Sequence, residues 1–236
     1  MLTAISLSLM IRFKNVSKYY PSKQGRKYIL RDVTLDIPTD RSVGILGPNG
    51  VGKSTLMRLI GGSDSPNKGS ITTDQKISWP IGLGGGLQGS MTARENTRFV
   101  AKIVGVEDVR SVERFVEEFA EIGASFDEPI KTYSSGMKSR VGFGLSLAFD
   151  FDVLLMDEVG AVGDQIFKVK SEALLQKKIN DTHILLVSHA IAQHRRLCQS
   201  GVVIKDQQLF FYEDIEEAIE DYEATYIRPA LQDFKS

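Results

Sequence analysis

Cysteine occurs once in the 236 residues, at Cys198, so no disulfide can close within the chain, and this usage fits a reducing compartment. Histidine occurs only at His183, His189 and His194, which with one cysteine gives no ligand set for a structural zinc ion. No apolar run approaches the roughly 20 residues that a membrane-spanning helix needs. Charge of either sign is not in excess: 29 Lys and Arg against 30 Asp and Glu leave a net charge of −1. A global positive field is therefore absent, which argues against a protein that coats nucleic acid or anionic lipid. The apolar start, MLTAISLSLM, has neither a basic stretch before it nor an A-x-A-like cleavage site after it, so it does not read as a secretory leader. Met10 directly precedes a strand-like run, and residues 1–9 are expected to be an extension carrying no fold information.

What remains is an ordinary globular composition, 42% hydrophobic and 25% charged, long enough for one large domain with an embedded subdomain. Strand-like runs alternate with helical patterns, the arrangement of an α/β fold. IRFKNV (11–16) and VTLDIP (33–38) read as strands of an antiparallel start. SVGILG (42–47) reads as a buried strand, STLMRLIGG (54–62) as a helix stopped by glycines, and SDSPNKGS (63–70) as a turn. From about Thr92 to Ala148 the pattern is nearly all helical. Thr92 and Glu95 have capping-box spacing. Val112, Phe115, Val116 and Phe119 form one apolar face, with Gly123 as the expected stop. Strands return at DVLLMD (152–157), HILLVSH (183–189) and VVIKD (202–206). Ile215, Ala218, Ile219 and Tyr222 mark a last amphipathic helix with an acidic outer face.

The sharpest signal is Gly47-Pro48-Asn49-Gly50-Val51-Gly52-Lys53-Ser54, a complete G-x-x-x-x-G-K-[ST] phosphate loop between a buried strand and a helix. Its glycines let backbone N–H groups wrap a phosphate, and the helix N-terminus adds partial positive charge. By this motif Lys53 reaches the β- and γ-phosphates and the Ser54 hydroxyl ligates Mg²⁺. Chance would produce the pattern in roughly one unrelated chain of this length per hundred. A second requirement, a carboxylate for the magnesium, is met by Asp157 at the end of VLLMDE, where open α/β sheets hold their ligands. Glu158 follows as the candidate general base for an attacking water. Alone, acidic residues ending a strand are usually a solvated terminus; beside a phosphate loop they read as chemistry. His189 ends the next apolar strand and is a candidate γ-phosphate contact, whereas His183 and His194 receive no role.

With these residues in place the chain resembles the ATP-binding subunit of an ABC transporter over residues 11–225. Gly47–Thr55 matches the Walker A motif, Val153–Glu158 the Walker B motif and His189 the switch histidine. Tyr133-Ser134-Ser135-Gly136-Met137 stands in the order of the signature segment. The resemblance implies a P-loop NTPase (RecA-like) core with an antiparallel β subdomain and an inserted α-helical subdomain at about 90–148, all within one domain spanning 10–236. It implies ATP and Mg²⁺ as ligands and a head-to-tail homodimer in which Ser134, Ser135 and Gly136 meet the γ-phosphate held by the other copy. Asp164 takes the D-loop place and Tyr20, ahead of Tyr19, that of the aromatic stacking on adenine. Simple edge-strand packing is the other account of that tyrosine pair. Gln88 is the Q-loop candidate, although it falls about five residues later than the family spacing. Leu, Gly and Gln of the common LSGGQ pattern are replaced by Tyr133, Ser135 and Met137.

The stretches at 77–105, 130–149 and 157–164 are similar to the subunits that export capsular polysaccharide in Gram-negative bacteria. Exporters of O-antigen or teichoic acid share much of the pattern, and the 47 residues after His189 leave no room for the carbohydrate-binding domain that some O-antigen exporters carry. The resemblance implies a peripheral position on the cytoplasmic face of the inner membrane and docking, through residues 81–100, on a separate membrane subunit that itself contacts the polysaccharide. A soluble ABC-type ATPase acting on ribosomes or DNA fits less well, because such proteins have two fused modules, coiled-coil insertions or basic surfaces. An idle regulatory nucleotide binder is disfavoured by intact Lys53, Asp157, Glu158 and His189.

Overall fold

The computed structural model describes residues 9–23, 25–81, 87–157 and 165–233. The chain divides into two compact units. The first comprises Met1–Pro80, Phe151–Glu158 and Thr182–Ser236; the second comprises Ile81–Asp150 and Val159–Asp181.

The first unit contains two sheets. In one, β1 (Met10–Ser22) lies between β2 (Gly25–Pro38) and β4 (Lys68–Thr72), antiparallel to both. The antiparallel start is as expected, but both strands are much longer than 11–16 and 33–38. Asn15 and Asp32 adopt φ of 49° and 50°, and register shifts beside them let the ladder run past the polar stretch SKYYPS. These bulges keep polar residues in pairing that alternation alone does not reveal. The segment 63–70 is likewise not all turn, since Lys68 opens β4. Leu9, the last residue of the expected extension, has its carbonyl held by the Thr39 N–H at 2.7 Å.

The other sheet has the order β5 (Val153–Asp157), β6 (His183–Val187), β3 (Val43–Leu46), β7 (Ser200–Lys205), β8 (Gln208–Tyr212). The first four are parallel and β8 is antiparallel to β7. Every residue of β3 and β5 is buried, which explains the apolar run of each up to Asp157 at the end of β5. The β7–β8 hairpin turns through Asp206 and Gln207, both at positive φ (51° and 63°), a two-residue turn made without glycine and unread in the sequence. α1 (Lys53–Ile60) leaves β3 through the glycine loop, and α6 (Ile191–Leu197) and α7 (Ile215–Tyr222) complete the unit with a π-helical turn at Glu223–Ile227 and α8 (Arg228–Asp233). Ile11, Phe13 and Ile37 of the first sheet share one core with Ile45, Leu56, Leu155 and Val187 of the second.

The second unit is helical: α2 (Ala93–Val104), α3 (Val109–Ala120), α4 (Ser135–Leu147) and α5 (Gln165–Asp181), the last unread in the sequence. α2 has the expected capping box: the Thr92 hydroxyl accepts from Glu95 N–H, and the Glu95 carboxylate accepts from Thr92 N–H at 2.9 Å. α3 stops earlier than expected, at Glu121 in the left-handed conformation, and Gly123 instead opens a 3-10 turn. Phe119 stacks on Phe115 and Phe143 and meets Phe167 edge-on. A Cβ on Gly144 would lie 2.7 Å from the Phe119 ring, so α4 requires glycine at this close approach.

Candidate functional site

Strand register assembles the site. Asp157 is level with Val187, and Val187 is level with Ile45, so β5, β6 and β3 end along one sheet edge. Asp157, the Ser188–His189 pair and the loop from Gly47 therefore leave that edge together, where parallel sheets hold ligands. Asp157 is buried, whereas His189 and Ser54 are exposed. Glu158 and Asp164 lie outside the described residues.

The loop is built around its side-chain-free positions. Gly52 has φ of 121°, and a Cβ there would come 2.3 Å from Ile29 Cγ2 on β2. Gly50 has φ of 75°. Lys53, only 8% exposed, turns its ammonium back into the loop and donates to the carbonyls of Gly47 (2.7 Å) and Pro48 (3.1 Å). α1 has Gly52 as its N-cap, with no side-chain cap and no acidic residue in its first turn. Its leading N–H groups and positive dipole end thus face no anionic side chain of their own helix. A lysine held on loop carbonyls, an exposed hydroxyl at Ser54 and a buried carboxylate at the same edge suit a phosphate chain with a hard cation. Pro48 and Val51 are half-buried, Asn49 is exposed, and the buried Thr55 hydroxyl accepts from Arg58.

Tyr20 is half-buried on β1; its hydroxyl donates to Asp64 at 2.9 Å, and the Lys18 ammonium stands 4.8 Å from its ring centre. Lys18, 5% exposed, donates to the same Asp64 at 2.6 Å. Tyr19 instead pairs with Tyr28, with Arg26 over its ring. In the second unit, Ser134 caps α4 by accepting from Met137 N–H, and Ser135 and half-buried Gly136 form its exposed opening turn. Tyr133 is anchored below by its hydroxyl to the Ser125 carbonyl. Gln88 has an exposed side chain, while its backbone is clamped from both sides by Asn96: the Asn96 carbonyl accepts from Gln88 N–H and its amide donates to the Gln88 carbonyl.

Two buried polar residues, Asn96 and His194, carry no signal of a role in the sequence. Asn96 is a buried amide inside a helix, at a place where an apolar residue is the ordinary occupant. His194, to which the sequence assigns no role, is fully buried and lines a cavity of about 210 Å³ together with Gly47, Ser188 and His189. Its sequence marks burial alone, a histidine at the one inward position of the otherwise polar run AQHRR.

A family model described as ABC transporter matches residues 30–161. The chain is 47% identical over 215 residues to the polysialic acid transport ATP-binding protein KpsT of Escherichia coli, covering 90% of this chain and 96% of that protein. It is 43% identical over 213 residues to the capsule polysaccharide export ATP-binding protein CtrD of Neisseria meningitidis serogroup B, covering 90% and 98%. Export ATP-binding proteins for O-antigen and teichoic acids match at 33–36%. Among solved structures, the dimeric ATP-binding cassette MJ0796 bound to ADP and Pi aligns with a TM-score of 0.67 at 25% identity, covering 87% of this chain and 99% of that one. These likenesses bear out the expected fold class and family resemblance: the chain belongs to the ABC transporter family.

Proposed function

We propose that the chain is the ATP-hydrolysing subunit of an exporter that moves capsular polysaccharide across the inner membrane. The observation that carries this reading is 47% identity along 90% of the chain to a polysialic acid transport ATP-binding protein, against 33–36% for the O-antigen and teichoic acid proteins. No helix among the described residues is long and apolar enough to cross a membrane. This suits a peripheral subunit on the cytoplasmic face that docks on a separate permease, with residues 81–100 as the docking region and the polysaccharide contacting the permease. The domain spans 10–236, with a helical subdomain at about 90–148.

ATP bound with Mg²⁺ supplies the phosphoanhydride bond whose hydrolysis drives the cycle. Gly47, Asn49, Gly50, Val51, Gly52 and Thr55 wrap the phosphates with backbone N–H groups, Pro48 fixes the bend of the loop between them, and Lys53 moves from the loop carbonyls to phosphate oxygens. Ser54 and Asp157 hold the metal. Glu158 takes the proton from the attacking water, and His189 fixes that water's position through the γ-phosphate. Tyr20 carries the adenine, its ring steadied by Asp64 and Lys18. Gln88 and Asp164 line the site, and Ser134, Ser135 and Gly136 close it from the partner copy of a homodimer.

The test is Glu158→Gln as the only copy in the source cell, with polysaccharide quantified outside and inside. The near-isosteric amide keeps ATP bound but cannot serve as base. Loss at the surface with accumulation in the cytoplasm is the expected result. Unchanged polysaccharide in both places refutes the assigned cargo, and a purified variant hydrolysing ATP at the wild-type rate refutes the assigned base.

A further inference from the structure

His194 is wholly buried on α6, and its ring nitrogens have unequal surroundings. Nε2 lies 3.1 Å from the Ser188 carbonyl oxygen. Nδ1 has no hydrogen-bond partner among the described residues and faces Gly44 on β3, where even a Cβ would come within 2.6 Å of it. A carbonyl oxygen can only accept, so the ring proton sits on Nε2 and Nδ1 is the bare nitrogen. Burial, with the nearby Lys53 charge adding to it, outweighs the hydrogen bond to Ser188 and lowers the ring's pKa, which keeps it neutral. Volume alone would be filled as well by leucine, without stranding a polar atom in the core.

What the imidazole does that leucine could not is hold the peptide joining Ser188 to His189. The same residue is gripped again at its side chain. The Ser188 hydroxyl donates to Gln193 Oε1 at 2.7 Å and accepts from Ala190 N–H at 3.1 Å, while Gln193 N–H donates to the Ala190 carbonyl. Two consecutive residues of α6 thus clasp the residue immediately before His189, one by its carbonyl and one by its hydroxyl. Gly47, His189 and His194 line one cavity, so the clasp lies next to the start of the phosphate loop.

We infer that His194 is a positioning residue for turnover: its Nε2–H pins the Ser188 carbonyl and thereby sets where His189 stands at the sheet edge. This rests on the reading that His189 acts at the γ-phosphate. His194→Leu removes the donor and fills the space, whereas His194→Gln restores a nitrogen donor at a similar reach. With the full chain, kcat and KM for ATP are measured for both variants and for His189→Ala, together with thermal midpoints. The expected result is a kcat at least tenfold lower in His194→Leu with KM within twofold of wild type, and recovery to within about threefold in His194→Gln. A wild-type kcat in His194→Leu, or equal loss in both His194 variants, overturns the inference. His189→Ala separates the two claims: if it turns over like wild type, the reading of His189 fails and this inference with it. If only His189→Ala is impaired, the positioning role alone fails. Should His194→Leu not fold, nitrogen NMR of histidine-labelled wild-type protein decides. A protected Nε2–H and a bare Nδ1 on His194 agree with the clasp, and the opposite tautomer or a charged ring overturns it.

Discussion

Gly52→Ala separates the two reasons that the phosphate loop needs glycine at this position. The first is backbone strain: φ of 121° is closed to a residue with a side chain, at a cost of about 1–3 kcal/mol. The second is collision, because the new methyl would sit 2.3 Å from Ile29 Cγ2. That atom is bonded directly to Cβ of a β-branched residue that is 8% exposed on a paired strand, so it cannot swing aside. Overpacking of this kind adds about 1–3 kcal/mol. Together they make a loss of about 2–6 kcal/mol, which for a chain of this size lowers the thermal midpoint by roughly 5–20 °C.

Calorimetry on four variants resolves the two contributions. Gly62→Ala, at φ of 70° with nothing within 4 Å of the added methyl, should show backbone strain alone, about 1–2 kcal/mol. Ile29→Ala should cost about 2–5 kcal/mol as a buried truncation. The double variant Gly52→Ala, Ile29→Ala should then be less destabilised than the sum of its parts by about 1–3 kcal/mol, since the methyl now enters the space left by Ile29. Additivity within about 0.5 kcal/mol would refute the collision. ATP affinity in Gly52→Ala should fall at least tenfold, because any relaxation that relieves the contact moves the loop N–H groups.

Asp64 joins Lys18 and Tyr20, and its acid titration should be visible in the stability profile. Burial raises its pKa, but hydrogen bonds from Lys18, Tyr20 and Ser65 outweigh this and hold it below the ordinary value of 3.8. Its stabilisation is therefore full above that value and lost as pH falls through the lowered one. Midpoints measured from about pH 5 to 2 should show a limb that Asp64→Asn makes shallower, Asp40, Asp127 and Asp221 also being held low by their partners, and an unchanged limb would refute the assignment. Cys198 is 4% exposed, and burial pushes its thiol up to about 12. A disulfide reagent at about pH 8 should leave it unmodified in the folded protein and titrate one thiol after denaturation; rapid reaction of the native protein would contradict its burial. Asn96→Ala strands the Gln88 N–H, the carbonyl keeping its bond from the Met91 N–H, and should cost about 1–3 kcal/mol, while Gln88→Ala should leave the midpoint within about 1 °C, because the clamp grips only backbone. Equal destabilisation by the two variants would show that the Gln88 side chain also bears on stability.

How much could be read from the sequence follows from how far apart the cooperating atoms lie along the chain. The phosphate-loop motif and the α2 capping box are contiguous and both are legible in the sequence, whereas the close approach of Ile29 to Gly52, 23 positions away, is not. β1 and β2 were seen only in part, because their bulges at Asn15 and Asp32 satisfy polar residues across 19 positions, from Asn15 N–H to the Thr34 hydroxyl. The Asp206–Gln207 turn and the Glu121 stop use left-handed conformations on residues with side chains, so the glycine signal that marks such positions was missing or pointed elsewhere. α5 carries no clear apolar stripe: Phe167 and Leu175 are buried while Val169 is 62% exposed. His194 and Asn96 sit between these cases. Each lies close in sequence to the residue it holds, six and eight positions away, yet each grips a backbone group at a spacing that, unlike the capping box, belongs to no recurring local pattern. Residues that touch ligand are thus announced by their own chemistry, while those that hold them in place emerge only when every buried polar atom is matched to a partner.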